Sequence, residues 1–250
     1  MVYSSVHPFR TFEKRPMSRP DASLVRSFDM FAKMDDADIE AVLALSHTRR
    51  IAEGEAVFQQ GDPAGEFFLL LEGRLKVSQV TPDGRQVVVR HVNPGDLYGI
   101  ARALRRDDYP GTAIAVTESR TLAWDSRHWD DFVARIPSLA VSALQTVGQR
   151  LQEAHTRIRE LSTEEVQRRV AHALLRLVNQ AGKKTEEGIL IDFPITLQDI
   201  AEMTGTTLHT VSRILSAWEE QGLIGSGRKR IVLKEPHKLM IFAERGRDGS

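Results

Sequence analysis

Cysteine is absent from this chain. That excludes disulfides, thiolate zinc sites, redox thiols and cysteine-ligated iron–sulfur clusters. Long apolar runs are missing as well. No stretch approaches the roughly 20 residues a membrane-spanning helix needs, and the N-terminus lacks a signal-peptide core, so no membrane partner and a cytoplasmic location are expected. Charge of either sign is not in excess: 34 Lys and Arg balance 34 Asp and Glu. No global field draws the protein to nucleic acid, and any such attraction must come from local patches. Catalytic signatures are wanting too, with no phosphate-cradling glycine loop and its lysine, no HExxH, no nucleophile elbow and no metal-ligand spacing. The acidic run Asp35-Asp36-Ala37-Asp38 reads more simply as a helix N-terminus favoured by the macrodipole. These absences point away from an enzyme.

What is present is an ordinary globular composition, 41% hydrophobic and 27% charged over 250 residues, with room for two modest domains. Residues 1–28 carry Pro8, Pro16 and Pro20 among Arg, Lys and Ser with little periodicity, which predicts a mobile arm. Phe31–Leu45 has the spacing of a short amphipathic helix. From Ile51 to Trp124 the pattern changes to short alternating runs. Candidate strands are Ala56–Phe58, Phe67–Leu71, Leu75–Val80, Gln86–Val92, Thr112–Val116 and Thr121–Trp124. Gly61, Gly73, Gly84 and Gly95 punctuate them, and Pro82-Asp83-Gly84 is a hairpin signal. Such spacing predicts a small antiparallel barrel or jelly roll over 29–130.

A long helix is expected over 131–162. Ala140, Leu144, Val147, Leu151, Ala154, Ile158 and Leu161 alternate steps of four and three, flanked by Gln149, Arg150, Glu153, Arg157 and Glu160. A helix packed on its own domain is the alternative, but a narrow stripe with charged flanks favours a two-chain coiled coil and hence a homodimer. Residues 163–250 then read as a helix (Val166–Ala181), a charged loop (Gly182–Gly188), a strand (Ile189–Phe193) and a helix-turn-helix.

That last motif, TLQDIAEMTGTTLHTVSRILSAWEEQG from Thr196 to Gly222, carries the clearest signal. Thr196 is placed as an N-cap, and Gly205 sits where the turn needs a left-handed residue. A second helix opens at Thr207 with Val211, Ile214, Leu215 and Trp218 at core spacing. Thr207, Leu208, His209, Thr210, Ser212 and Arg213 are left near its first two turns, where a recognition helix meets base edges of double-stranded DNA. GLIGSGRKRIVL follows as two strand-like ends around a basic turn, a winged helix whose Arg228, Lys229 and Arg230 could sit against phosphates rather than form a plain solvated turn.

The order of barrel, long helix and winged helix resembles the Crp/Fnr family of bacterial transcription regulators over about residues 28–243. The segment Val92-Asn93-Pro94-Gly95-Asp96-Leu97-Tyr98-Gly99 and the terminal TVSRILSAWEEQGLI carry the likeness. The fold implied is α+β: an N-terminal antiparallel β-roll of cyclic-nucleotide-binding type, a dimerisation helix and a winged helix. The function implied is a homodimer that binds a palindrome of the TTG…CAA kind, senses an effector in the barrel and recruits RNA polymerase, the loop Gly182–Gly188 with Lys183 and Lys184 matching the polymerase-touching surface. Arg213 matches the arginine that reads guanine, favoured by bidentate geometry against O6 and N7. Thr207 and Gln198 match backbone contacts, and Thr196 is expected among the DNA-contacting residues with them. Where the family places a glutamate this chain has His209, a different donor and acceptor pattern.

The resemblance also bears on the signal. Cyclic AMP binding in the family needs a glutamate and an arginine where this sequence has Ile100 and Pro110, so a bound phosphate would lack its counter-charge and cyclic AMP is not expected. The cysteine-dependent oxygen mechanism is excluded. What remains is likeness to the cysteine-free, nitric-oxide-responsive denitrification regulators (Dnr/NnrR-like), proposed to use haem. His155 is then the first candidate ligand, one residue past the seam position Ala154, with His7 and His91 behind it. Two other readings stay open: a regulator with another effector or none, and a cyclic-nucleotide-type module that controls a partner protein without DNA.

Overall fold

A computed structural model of the chain describes residues 22–32 and 34–244. The first unit contains Ala22–Val25 (α1), Asp36–Ala44 (α2), His47–Ile51 (β1), Ala56–Phe58 (β2), Glu66–Val80 (β3), Gln86–Val92 (β4), Leu97–Tyr98 (β5) and Thr112–Asp125 (β6). Its strands pair antiparallel in the order β1-β6-β3-β4, with β2 on β6 and β5 on β3. This is the β-roll expected from the glycine-spaced pattern.

The roll has two apolar layers, one on each face. Along β3, Phe67, Leu69 and Leu71 pack with Leu122, Trp124 and the flanking helices. The alternate Phe68 and Leu70 pack with Phe58, Tyr98 and Tyr109 inside the roll. A run of five consecutive apolar residues therefore stays a strand because both of its faces are buried. At about 1.5–3 kcal/mol for each fully buried large side chain, these layers dominate the unit's stability. Trp124 ties helix to sheet, its indole N–H donating to the Val42 carbonyl at 2.9 Å.

Several expected boundaries move. β3 and β6 are single long strands where the sequence suggested pairs of short ones, and β1 was not anticipated. Gly73 marks no turn: its φ is +87°, and a Cβ there would lie 2.4 Å from the Ser119 hydroxyl. It is the bulge that lets β3 cross close over β6. The arm read as 1–28 ends earlier, because Val25 is fully buried in the first core layer. Residues 1–21, including His7, lie outside the described residues.

Trp129–Arg135 (α3) leads into Pro137–Thr163 (α4), 27 residues long. Pro137 opens α4 because its missing N–H would be unpaired there in any case. The C-terminal unit follows with Val166–Ala181 (α5), Gly182–Thr185 (β7), Gly188–Ile191 (β8), Leu197–Thr204 (α6), Leu208–Glu220 (α7), Ile224–Gly227 (β9), Arg230–Leu233 (β10) and Pro236–Glu244 (α8). The sheet order is β7-β8-β10-β9. The charged loop expected at 182–188 is thus mostly a hairpin, its lysines on β7 paired across to β8.

Candidate nucleic-acid interface and the joint behind it

α6 and α7 form the helix-turn-helix where the sequence placed it. Thr196 caps α6 in a full capping box with Asp199, and Gly205 closes the helix in the left-handed region at φ +63°. Thr207 caps α7, its hydroxyl accepting from the Thr210 N–H at 3.2 Å. Val211, Ile214, Leu215 and Trp218 are buried against α5, β9 and β10 residues such as Leu174, Ile224 and Leu233. The opposite face of α7 is thereby fixed outward.

On that outward face Thr207, Leu208, His209 and Arg213 are exposed, and Thr210 and Ser212 are half-buried. His209 and Arg213 lie one turn apart and share the face. Among the described residues, no ion pair or hydrogen bond holds Arg213. Gln198 is exposed on α6, its amide donating to Glu202 at 2.9 Å. In the wing, Arg228 is exposed, Lys229 reaches Glu53 at 3.4 Å and Arg230 reaches Glu187 at 3.5 Å. These two surface pairs are weak, so neither removes the cation from use.

Thr196 is different. It lines a cavity of about 180 Å³ between roll and helix-turn-helix, with Glu53, Lys76, His91 and Lys229 among its neighbours. Its hydroxyl is committed to the Asp199 carboxylate at 2.6 Å. In this arrangement it is turned to the joint, not to the recognition surface. Loss of the cap in Thr196→Ala is expected to cost about 1 kcal/mol, read as a lower urea midpoint at unchanged slope. An unaltered midpoint would show that the capping box contributes nothing.

The joint itself is built from residues the sequence did not single out. Lys76 on β3 donates to Asp199 at 2.6 Å across 123 residues of chain. Phe193 lies between the Arg74 guanidinium, 4.2 Å from its ring centroid, and the His91 ring at 5.2 Å. Burial alone would raise the Asp199 carboxyl, but hydrogen bonds from Lys76 and Thr196 outweigh it and hold the group below its ordinary value.

Burial, reinforced by repulsion from Arg74, Lys76 and Arg157 and opposed by Asp199, pushes His91 down from 6.5 to about 4. Folded His91 therefore refuses a proton that the unfolded chain accepts between those values. Its contribution is complete above pH 6.5 and is lost as pH falls toward about 4. Urea unfolding at pH 7, 6 and 5 should show this decline, and His91→Phe should flatten it. Equal slopes for the two proteins would contradict the assignment.

A larger cavity of about 520 Å³ opens between β4, α4, α5 and Met203 of α6. Arg90, Arg150, Arg157 and Arg176 line it with the amides of Gln149, Gln152, Asn179 and Gln180, beside the apolar Leu177 and Met203. His91 forms part of the wall, whereas His155 is exposed on α4 and does not line it. His91 and His155 thus do not share this cavity, and His7 lies outside the described residues. Four guanidiniums do not suit the apolar body of a porphyrin, so this cavity does not fit haem. No cluster of metal-ligating side chains occurs among the described residues.

α4 carries the remaining candidate surface. Leu144 is 72% exposed, Leu151 56%, Ile158 60% and Leu161 53%, joined by Val141 at 53%. Ala154 is exposed with them, Ala140 is half-buried, and Val147 packs partly on the chain's own core. The unpartnered stripe is centred on Leu144, Leu151 and Ile158, seven residues apart. Among the described residues no helix is long and apolar enough to cross a membrane.

A β-roll joined through a long helix to an outward-facing winged helix defines a DNA-binding regulator. Residues 48–135 match the cyclic nucleotide-binding domain family and residues 168–241 the Crp-like helix-turn-helix domain. The global nitrogen regulator of Synechococcus elongatus is 30% identical over 74% of this chain and 85% of its own length. The cyclic AMP receptor protein of Thermus thermophilus is 27% identical over 86% of this chain and 96% of its own. A solved CRP-family transcriptional regulator, also from Thermus thermophilus, superposes with a TM-score of 0.67 at 28% identity, covering 78% of this chain and 96% of that one. The chain belongs to the Crp/Fnr family of DNA-binding transcription regulators, and it is not an enzyme.

Proposed function

We propose that the protein works as a homodimer joined along α4, presenting two copies of α7 to a TTG…CAA-like palindrome. The observation that carries this is the row of Leu144, Leu151 and Ile158, each more than half exposed at heptad spacing. An isolated chain gains nothing from such a stripe, whereas a second α4 would bury it on both sides. Two-fold symmetry then matches half-sites about one helical turn apart. Arg213 and His209 would meet base edges, while Thr207, Gln198 and the wing cations would meet the backbone. The exposed Lys183 and Lys184 on β7 are the surface offered to RNA polymerase. Anisotropy titration of a labelled palindrome, with sedimentation of the free protein, tests the proposal. A monomer with no preference for the palindrome over scrambled duplex would reject it.

For the signal, the lack of cysteine and the His209 substitution favour the nitric-oxide and denitrification group. The arginine-lined cavity gives haem no support, and its chemistry points elsewhere. Absorption spectra of haem-treated protein decide that point. A Soret band responsive to nitric oxide and lost in His155→Ala would restore haem, and its absence would leave a regulator with another effector or none.

A further inference from the structure

We propose that the cavity between β4, α4 and α5 binds a small carboxylate- or phosphate-bearing metabolite, with Arg90 and Arg150 holding its oxyanion. The two guanidiniums converge on one oxygen, the Leu97 carbonyl, which Arg90 reaches at 3.3 Å and Arg150 at 2.7 Å. One neutral acceptor is a poor return for two buried cations. Asp96 is the nearest carboxylate to Arg90, and it stands 4.0 Å away.

The other two arginines of the cavity are already engaged. Arg176 pairs with Glu160, and Arg157 donates to the Val88 carbonyl at 3.1 Å. Arg150 keeps its Nε buried and without a hydrogen-bond partner. Burial and repulsion from Arg90 together lower the Arg150 guanidinium to about 10. An oxyanion at this point would accept the orphan N–H and offset the repulsion between the two cations. Planar guanidiniums suit carboxylate and phosphate alike. The volume, about 520 Å³, lies in the range for a small-molecule site. Gln149, Gln152 and Gln180 provide donors and acceptors for the rest of the molecule.

Gly99, Ile100 and Pro110–Thr112 take no part in the cavity's lining, which meets the roll instead at Arg90, His91, Asn93 and Asp96. Its walls come from the roll, the long helix and the DNA-binding unit together. An occupant would therefore brace the joint between them, and this consequence rests on the regulator reading above.

Calorimetric titration of the full chain with inorganic phosphate, and separately with succinate, tests the binding. The buffer is a chloride-salted amine at constant ionic strength. One saturable site per chain is expected for at least one probe, and the preferred probe identifies the source of the oxyanion. Arg150→Gln should weaken binding at least tenfold. Asn179→Asp, an exposed rim position that touches neither arginine, should weaken it about tenfold while leaving the fold intact, whereas Asn179→Ala should stay within about threefold. No saturable heat with either probe would overturn the proposal. So would binding indifferent to Arg150→Gln and Asn179→Asp, or several weak sites abolished by added chloride. None of these failures would touch palindrome binding, which is measured separately.

Discussion

Leu151→Glu is expected to turn the dimer into monomers and to abolish high-affinity operator binding. Leu151 is 56% exposed in a single chain, midway along the stripe with Leu144 and Ile158. In a two-chain seam the side chain occurs twice, once from each helix. With just over half of each copy left to bury, each contributes about 1–1.5 kcal/mol. The substitution forfeits both and sets two carboxylates against each other in an apolar strip. A loss of about 2–3 kcal/mol from burial corresponds to roughly 10–10² in the dimerisation constant at 1.4 kcal/mol per tenfold, and the carboxylates add to it. DNA affinity should fall in step, because the second half-site contact would no longer be intramolecular. Sedimentation velocity at micromolar concentration reads the first effect and anisotropy the second. A variant that sediments as a dimer would remove α4 from the interface.

Arg213→Ala should cost about 1–3 kcal/mol of specific binding and relax the preference at one G·C pair in each half-site. α7 is locked by Val211, Ile214, Leu215 and Trp218, so Arg213 can only face outward. Nothing among the described residues competes for its guanidinium, which leaves the fork free for guanine O6 and N7. Binding to scrambled duplex should change far less, since a base contact contributes little where the base is wrong. If the variant lost affinity equally for every sequence, Arg213 would be a phosphate contact and not a reader. The position of His209 one turn earlier makes the neighbouring base pair the one most open to departure from family habit.

The class of protein that depends on a partner without DNA fits these observations less well. It leaves an exposed recognition face with a free arginine unexplained, together with a wing carrying three cations. Family membership and the geometry of α7 agree on the same surface.

The parts legible in the sequence were those set by local rules. The caps at Thr196 and Thr207, the left-handed Gly205 and the apolar spacing of α7 each depend on residues within a turn or two. The Thr81–Arg85 hairpin was legible for the same reason. Long-range pairing was not. β1 was missed because Thr48, Arg49 and Arg50 put polar residues on both of its faces, and its partner β6 lies more than 60 residues on. Gly73 looked like a turn because nothing local distinguishes a turn glycine from one required by a crossing strand. The joint was invisible for a stronger reason. Lys76, Phe193 and Asp199 carry no mutual spacing signal, and Arg150 read only as a charged flank of the seam. Its meeting with Arg90 at the Leu97 carbonyl is a product of how α4 lies across the roll.

Two recognition helices addressing one duplex are what hydroxyl-radical footprinting of the purified protein on a TTG…CAA palindrome measures most directly. Two protected patches should appear, related by the two-fold axis of the site and separated by about one helical turn, and both should vanish together with Leu151→Glu. Protection of a single half-site, or of no site in preference to bulk sequence, would contradict it.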